Sequence, residues 1–458
     1  MTFSRVAAAR DPDALFIRGD DGRDFTYGEF WALAGRLAAG LVAVGAKPGD
    51  RIAVQVEKSV EAVALFYACA RAGLIFLPLN TAYTQSEIAY FLSDAEPALF
   101  INSQAQLMEL AQGGEFDDAV TDASTICAIL YTSGTTGKSK GAMLSQGNLV
   151  SNAEALVSAW RFTSQDKLIH ALPVYHTHGL FVATNTIFLS GGQMFFREKF
   201  DASDVIGLIP KATALMGVPT FYTRLLQRED FTRELCASMR LFISGSAPLL
   251  AETHRAFEAR TGQAILERYG MTETNMNTSN PYDGARKPGT VGKPLPGVDL
   301  RIRDGMIEVK GPNVTSGYWR NEAKTKASFT DDGYFITGDL GAFDEDGYVV
   351  ISGRGSDLII TGGFNVYPKE IEEKIDQLPG VVESAVIGLP HPDFGEAVTA
   401  VIVPEKGVTL DAAAIIAKLR ETLAAFKVPK TLHFVDELPR NAMGKVQKKA
   451  LRETYGAR

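Results

Sequence analysis

Ile126-Cys-Ala-Ile-Leu130, followed by Tyr131-Thr-Ser-Gly-Thr-Thr-Gly-Lys-Ser-Lys140, is the stretch from which the rest of the chain can be read. Five apolar residues in a row suit a strand buried on both faces, as in a helix-covered parallel sheet. The next ten replace bulk with hydroxyls and charge. Gly134 and Gly137 allow a tight turn with exposed N–H groups; Thr132, Ser133, Thr135 and Thr136 add donors; Lys138 and Lys140 add positive charge. Such a loop can wrap a polyphosphate. A helix is expected to begin near Ser145, giving the local order strand, loop, helix. The Walker pattern fails, because Thr132 stands where its first glycine belongs, although Gly137-Lys138-Ser139 mimic its end. A P-loop ATPase or kinase therefore ranks second.

Working upstream, Thr26 and Glu29 have capping-box spacing, and Phe30, Leu33, Leu37 and Leu41 recur at helical intervals until Gly45. Ile52–Val56, Ile75–Leu79 and Ala98–Ile101 are expected as strands, Val60–Ala72 as an apolar helix, and Thr84 with Glu87 as a second capped start. This alternation predicts an α/β fold. The segment from Asn102 to Ser124 has no strong period and is read as a surface connection. Downstream, Leu300–Val309 and Tyr348–Ile351 read as strands of a smaller β-rich subdomain. Helices Lys369–Gln377 and Asp411–Ala425, with strands Ala385–Leu389 and Val398–Val403, make a separate α+β domain.

The 458 residues carry 46 basic and 54 acidic side chains, a net charge of −8, with no Lys/Arg run able to track a phosphate backbone. Nucleic acid is thereby an unfavoured partner. Cys69, Cys127 and Cys236 lie far apart and are expected as buried thiols. Neither a signal segment nor a membrane-length apolar run is apparent, so the cytoplasm is the expected location and no membrane partner is expected.

The phosphate-type loop together with Ser244-Gly-Ser-Ala-Pro248, Tyr269-Gly-Met-Thr-Glu273, Thr337-Gly-Asp339, Gly353-Arg354, Gly362-Gly363 and Pro439-Arg-Asn-Ala-Met-Gly-Lys445 resembles the adenylate-forming superfamily of acyl-CoA synthetases, luciferases and adenylation domains. The resemblance covers nearly the whole chain. It implies a large AMP-binding domain, 1–354, of helix-covered sheets with a β-rich subdomain, and a small mobile α+β domain, 355–458. It also implies ATP, Mg²⁺ and coenzyme A as reactants or cofactors.

Residue by residue, the resemblance makes Glu273 the magnesium ligand and Thr272 a partner of the α-phosphate. It places Tyr269 against adenine, with Gly245, Ser246 and Ala247 along the base's edge, and Asp339 and Arg354 at the ribose. Lys445 would bridge carboxylate and phosphate during adenylation. Ser356 occupies the hinge, where many relatives carry Asp or Lys, and Gly362 and Gly363 would line a pantetheine tunnel.

The acyl pocket is expected from Pro173–Leu180, Met216–Thr223, Met271 and the segment beyond Glu273, with His176 at the family's gating position. Arg286, next to Lys287, suits a second carboxylate on a short acid. The segments LPVYHTHGLF, MGVPTFYTRLL, NPYDGARKPGTVG and LPRNAMGKVQKK look closest to malonyl-CoA synthetases, which also take methylmalonate. Another small acid, a carrier-protein acceptor in place of free coenzyme A, and a nucleotide-holding protein without turnover remain the alternatives. The protein would be a monomer or homodimer, and it is somewhat short for this family around 102–124.

Overall fold

The structure is a computed structural model and describes residues 1–132, 139–361, 364–441 and 444–456. The chain packs into two compact units, Met1–Leu300 with Val309–Ile336, and Arg301–Glu308 with Thr337–Arg458.

In the first unit a nine-stranded sheet runs Lys293–Pro294, Asn275–Ser279, Leu266–Met271, Leu241–Ser244, Ala214–Gly217, Lys167–His170, Gln193–Phe196, Leu15–Gly19, Asp24–Thr26. From Leu266–Met271 through Leu15–Gly19 neighbouring strands are parallel, and pairing turns antiparallel towards both edges. The inner strands Ala214–Gly217 and Leu241–Ser244 are buried at every position, as two-sided coverage demands. A five-stranded sheet has the order Leu99–Ile101, Arg51–Val54, Ile75–Pro78, Ile126–Thr132, Lys140–Ser145.

Local signals in the sequence place many of the helices. Thr26 Oγ1 accepts from the Glu29 N–H at 3.1 Å, while the Thr26 N–H donates to Glu29 Oε2 at 2.9 Å, and Phe30, Leu33, Leu37 and Leu41 are buried behind that cap. Helix Val60–Ala72 starts at the Ser59 cap, stops at Gly73 with φ +69°, and is buried throughout. The three cysteines are free and buried.

Two expectations are corrected. The region 102–124 contains a helix, Gln104–Leu110, capped by Ser103 and anchored by buried Leu107 and Leu110; two turns are too few for periodicity to show. The polyphosphate-type loop is followed by a strand, Lys140–Ser145, antiparallel to Ile126–Thr132, before helix Gln146–Trp160 begins. The loop therefore joins two strands of a hairpin. Cross-strand hydrogen bonds, rather than a helix end, fix where its two ends emerge.

Strands Asp299–Arg303, Met306–Lys310, Phe335–Phe343 and Val349–Arg354 form a four-stranded sheet, matching the expected β-rich portion. Its first hairpin turns on Asp304 and Gly305, both at positive φ, as a two-residue hairpin turn prefers. The second unit also holds a five-stranded sheet built around the long antiparallel pair Val381–His391 and Gly395–Pro404. Helices Pro368–Asp376 and Ala412–Arg420 pack on it through Ile371, Ile375, Ile415 and Leu419. Among the described residues, no helix is long and apolar enough to cross a membrane.

Candidate active site

Thr132 ends its strand beside Glu273, which lies on the turn between Leu266–Met271 and Asn275–Ser279. Thr132 Oγ1 donates to Glu273 Oε1 at 3.1 Å, and the Tyr318 hydroxyl donates to the same oxygen at 3.0 Å. The carboxylate is buried, and among the described residues Oε2 has no hydrogen-bond partner. A carboxylate oriented by two hydroxyls and retaining an open oxygen fits a hard divalent cation that completes its shell with phosphate oxygens and water. No cluster of three or more His, Cys, Asp or Glu side chains that could hold a metal exists among the described residues. Lys140 begins the second strand of the hairpin; desolvation, then Lys324, lowers its pKa against the opposing pull of Glu273.

The turn at Gly270–Glu273 is tight: a Cβ at Gly270 would fall 2.0 Å from the Asn275 carbonyl oxygen. Tyr269 is buried on the strand, whereas Met271 and Thr272 are half-buried at its open end. Ser133, Gly134, Thr135 and Thr136 lie outside the described residues, as do Gly362 and Gly363.

Beside this turn is an arginine that the sequence reading passed over. Arg268 immediately precedes Tyr269 and is buried, and its Nε and one Nη have no hydrogen-bond partner among the described residues. Burial pulls its pKa down to about 9, which leaves it a cation at neutral pH. Its guanidinium occupies the space over Gly245, where a Cβ would come within 2.4 Å of Cζ. Burial and then the Arg268 charge depress His176 to about 4, and the same two causes hold His178 well below the usual histidine value. Both imidazoles are therefore neutral at physiological pH.

His178 Nδ1 lies 3.0 Å from Ser246 Oγ, and Ser246 is held at φ +71°. The His178 backbone N–H donates to His176 Nδ1 at 3.3 Å. His178 opens a π-helical segment, His178–Ala183, an element often found at functional sites. The Gly179 carbonyl accepts from Thr184 Oγ1 at 2.9 Å and lies 2.9 Å from His170 Nε2. Arg268, His176, His178, Ser246 and Gly245 thus form a buried polar cluster whose charge is that of the Arg268 guanidinium.

Arg286 is differently placed. Its guanidinium donates to the carbonyls of Ala264 at 2.7 Å, Tyr282 at 3.1 Å and Pro281 at 3.3 Å. Those bonds tie the 281–286 loop to the Ala264 carbonyl ahead of strand Leu266–Met271. The signal that points to Arg268 is a pair of charged residues, Glu267 and Arg268, inside an otherwise core-type strand, Leu266-Glu-Arg-Tyr-Gly-Met271.

In the second unit Asp339 and Arg354 are cross-strand partners on antiparallel strands, and Arg354 Nε meets Asp339 Oδ1 at 2.8 Å. Asp339 is buried, and Arg354 also donates to the Thr337 carbonyl at 3.3 Å. Ser356 follows within the short turn Gly355–Asp357. Lys445 lies on an exposed loop; desolvation of its ammonium, then Arg354, lowers its pKa, with Asp339 and Asp357 opposing.

Residues 4–319 match the AMP-binding enzyme family, and residues 370–445 match the AMP-binding enzyme C-terminal domain. A malonate–CoA ligase of Arabidopsis thaliana is 34% identical over 98% of this chain and 87% of its own. A feruloyl-CoA synthase of an Amycolatopsis species is 33% identical over 98% of this chain and 97% of its own. Among solved structures, ATP-bound MatB from Rhodopseudomonas palustris superimposes with a TM-score of 0.97 at 55% identity, covering 100% of this chain and 99% of that one.

Proposed function

As the chain belongs to the AMP-binding enzyme family, we propose that it uses ATP to activate a short dicarboxylic acid, malonate foremost and methylmalonate second, and passes the acyl group to coenzyme A. A carboxylate oxygen attacks the α-phosphorus, the bond to the β-phosphate breaks and pyrophosphate leaves. The thiol of coenzyme A then attacks the acyl carbonyl, loses its proton, and AMP departs with the former carboxylate oxygen.

Negative charge accumulates on the phosphoryl oxygens in the first step, so its catalysis rests on positioning and charge neutralisation. Thr132, Lys140, Thr272 and the 133–138 loop would hold the phosphates, and Lys445 would supply a cation while the adenylate forms. Glu273 would hold Mg²⁺, whose charge offsets that of the phosphates. Tyr269 with Gly245–Ala247 would seat adenine, Asp339 and Arg354 would take the ribose hydroxyls, and Gly362 and Gly363 would flank the pantetheine arm. The turn carrying Ser356 would act as the hinge.

Arg268 carries the choice of acid. A malonate–CoA ligase and a feruloyl-CoA synthase are relatives of nearly equal identity, so the residue that selects the acid is sought in the site itself. A buried cation without a partner is costly, and a ligand carboxylate relieves that cost. Neutral His176 and His178 add hydrogen bonding without adding charge, and a monoacid with an apolar tail would leave the guanidinium unpaired.

An acid-panel assay of AMP and thioester production tests this reading. Malonate should exceed acetate, ferulate and long-chain acids, and Arg268→Met should raise the malonate KM on the order of 100-fold with little change for ATP. Equal use of acetate and malonate, or an unaltered malonate KM in the variant, would refute the diacid assignment. Free coenzyme A and a holo carrier protein, offered side by side, distinguish the two acceptors.

A further inference from the structure

The Lys445 loop is closed by its own backbone. Asn441 N–H donates to the Lys445 carbonyl, Gly444 N–H to the Asn441 carbonyl and Lys445 N–H to Asn441 Oδ1, each at 2.9 Å, while Gln447 N–H donates to the Pro439 carbonyl at 2.8 Å. Arg440 pairs across the loop with Val446 and donates to the Gly444 carbonyl at 2.5 Å. The lysine's main chain is therefore shaped before any substrate arrives.

Three cations then moor this stretch to separate parts of the second unit. Arg440 reaches Glu383 on strand Val381–His391. Lys448 Nζ meets Glu372 Oε1, on helix Pro368–Asp376, at 2.6 Å. One turn further along helix Lys448–Gly456, Arg452 meets Asp357 Oδ1 at 2.8 Å. The Lys448–Glu372 side chains are only 18% and 17% exposed, whereas the neighbouring Lys449–Glu453 pair is 78% and 68% exposed. Solvent-screened pairs such as the latter contribute little, and shielded ones hold geometry better.

Asp357 ends the turn that directly follows Arg354, and Arg354 is the partner of Asp339. An ion pair thus joins Asp339 to Arg354, the turn carries the chain on to Asp357, and a second ion pair joins Asp357 to Arg452, from which the helix leads back to Lys448 and the lysine loop. Fixing the loop in advance reduces the freedom that Lys445 must lose when it engages a transition state.

We propose that Lys448 and Arg452 are positioning residues that hold the Lys445 loop in register with the Asp339–Arg354 pair, and that they serve the adenylation half-reaction. The inference rests on the assignment of Lys445 to adenylation. Its test separates the two halves: malonate-dependent ATP–pyrophosphate exchange for the first, and thioester formation from supplied malonyl-adenylate and coenzyme A for the second.

Lys448→Met and Arg452→Met should each slow exchange about tenfold through kcat, with the KM for ATP and malonate unchanged and the second half-reaction within about twofold. Lys448→Arg should restore most of the rate, and so should the charge swap Lys448→Glu with Glu372→Lys. Should Lys448→Met fail to fold, Lys448→Gln and the charge swap carry the comparison. Equal loss in both halves, or no loss in exchange, overturns the mooring role. Lys445→Ala is run in parallel: retained exchange in that variant refutes the assignment of Lys445 itself, whereas lost exchange with unaffected mooring variants refutes only the inference drawn here.

Discussion

Thr132 and Glu273, 141 residues apart in the chain, meet through a hydrogen bond of 3.1 Å from the threonine hydroxyl to the buried carboxylate. Their meeting brings the end of the five-stranded sheet's loop-bearing strand to the turn that leaves the nine-stranded sheet. Phosphate groups and a metal ligand are thereby expected side by side, although their segments are remote in sequence.

Removing the negative charge at that turn should be felt in chemistry before stability. Glu273→Gln keeps an acceptor for Thr132 and Tyr318, so the fold should persist while adenylate formation falls about 100-fold or more. Thr132→Val should cost about tenfold, since it loosens the carboxylate without discharging it. Pyrophosphate exchange across a magnesium titration measures both, and a wild-type magnesium response in Glu273→Gln would remove the residue from metal binding.

The two arginines should separate cleanly. Arg268→Met replaces an unpartnered buried cation with an apolar chain of similar length, so the free enzyme should become more stable, by about 1–4 kcal/mol, even as diacid binding is lost. Arg286→Met leaves three carbonyls without their donor and should destabilise by about 1–3 kcal/mol with the malonate KM unaltered. Urea unfolding paired with steady-state kinetics reads all four quantities. A raised malonate KM in Arg286→Met would return the substrate role to that residue.

His176 supplies a pH signature. Its pKa is depressed to about 4, so between the ordinary histidine value of 6.5 and about 4 the unfolded chain binds a proton that the folded chain refuses. Stability from this group is complete above that window and is lost as pH falls through it. Imidazole NMR should find His176 neutral at pH 5 in the free enzyme, and Arg268→Met should raise its pKa. Protonation near pH 6.5 in the wild type would contradict the depressed value.

Asp376 should act with the opposite sign. Burial, then the charges of Glu372 and Glu383, raises it to about 7 against the Ser384 hydroxyl, which donates at 2.7 Å. The folded state therefore holds a proton that the unfolded state releases, and this group's contribution to stability declines as pH rises from about 4 to about 7. Asp376→Asn should flatten that slope in pH-dependent denaturation. An identical slope in the variant would assign the proton elsewhere.

Much of this protein is local and was legible as such. The caps at Thr26 and Thr84, the apolar helix Val60–Ala72 and the ordered series of glycine, hydroxyl and charged segments depend on neighbours a few residues away, so the sequence reading located them. The helix Gln104–Leu110 escaped because two turns hold too few apolar residues to reveal a period. The strand Lys140–Ser145 escaped because its pairing partner lies across the loop.

Which arginine already has hydrogen-bond partners is a different matter. As bare sequence, Arg268 and Arg286 are equal cations, and the place of Arg286 beside Lys287, soon after Tyr269-Gly-Met-Thr-Glu273, points to Arg286. Only folding shows that three carbonyls close around Arg286 while Gly245 leaves room for the Arg268 guanidinium, whose charge lowers both His176 and His178. A charge is assigned to a residue by its chemistry alone, but a partner is assigned by distance and desolvation, and those exist only once remote strands have packed.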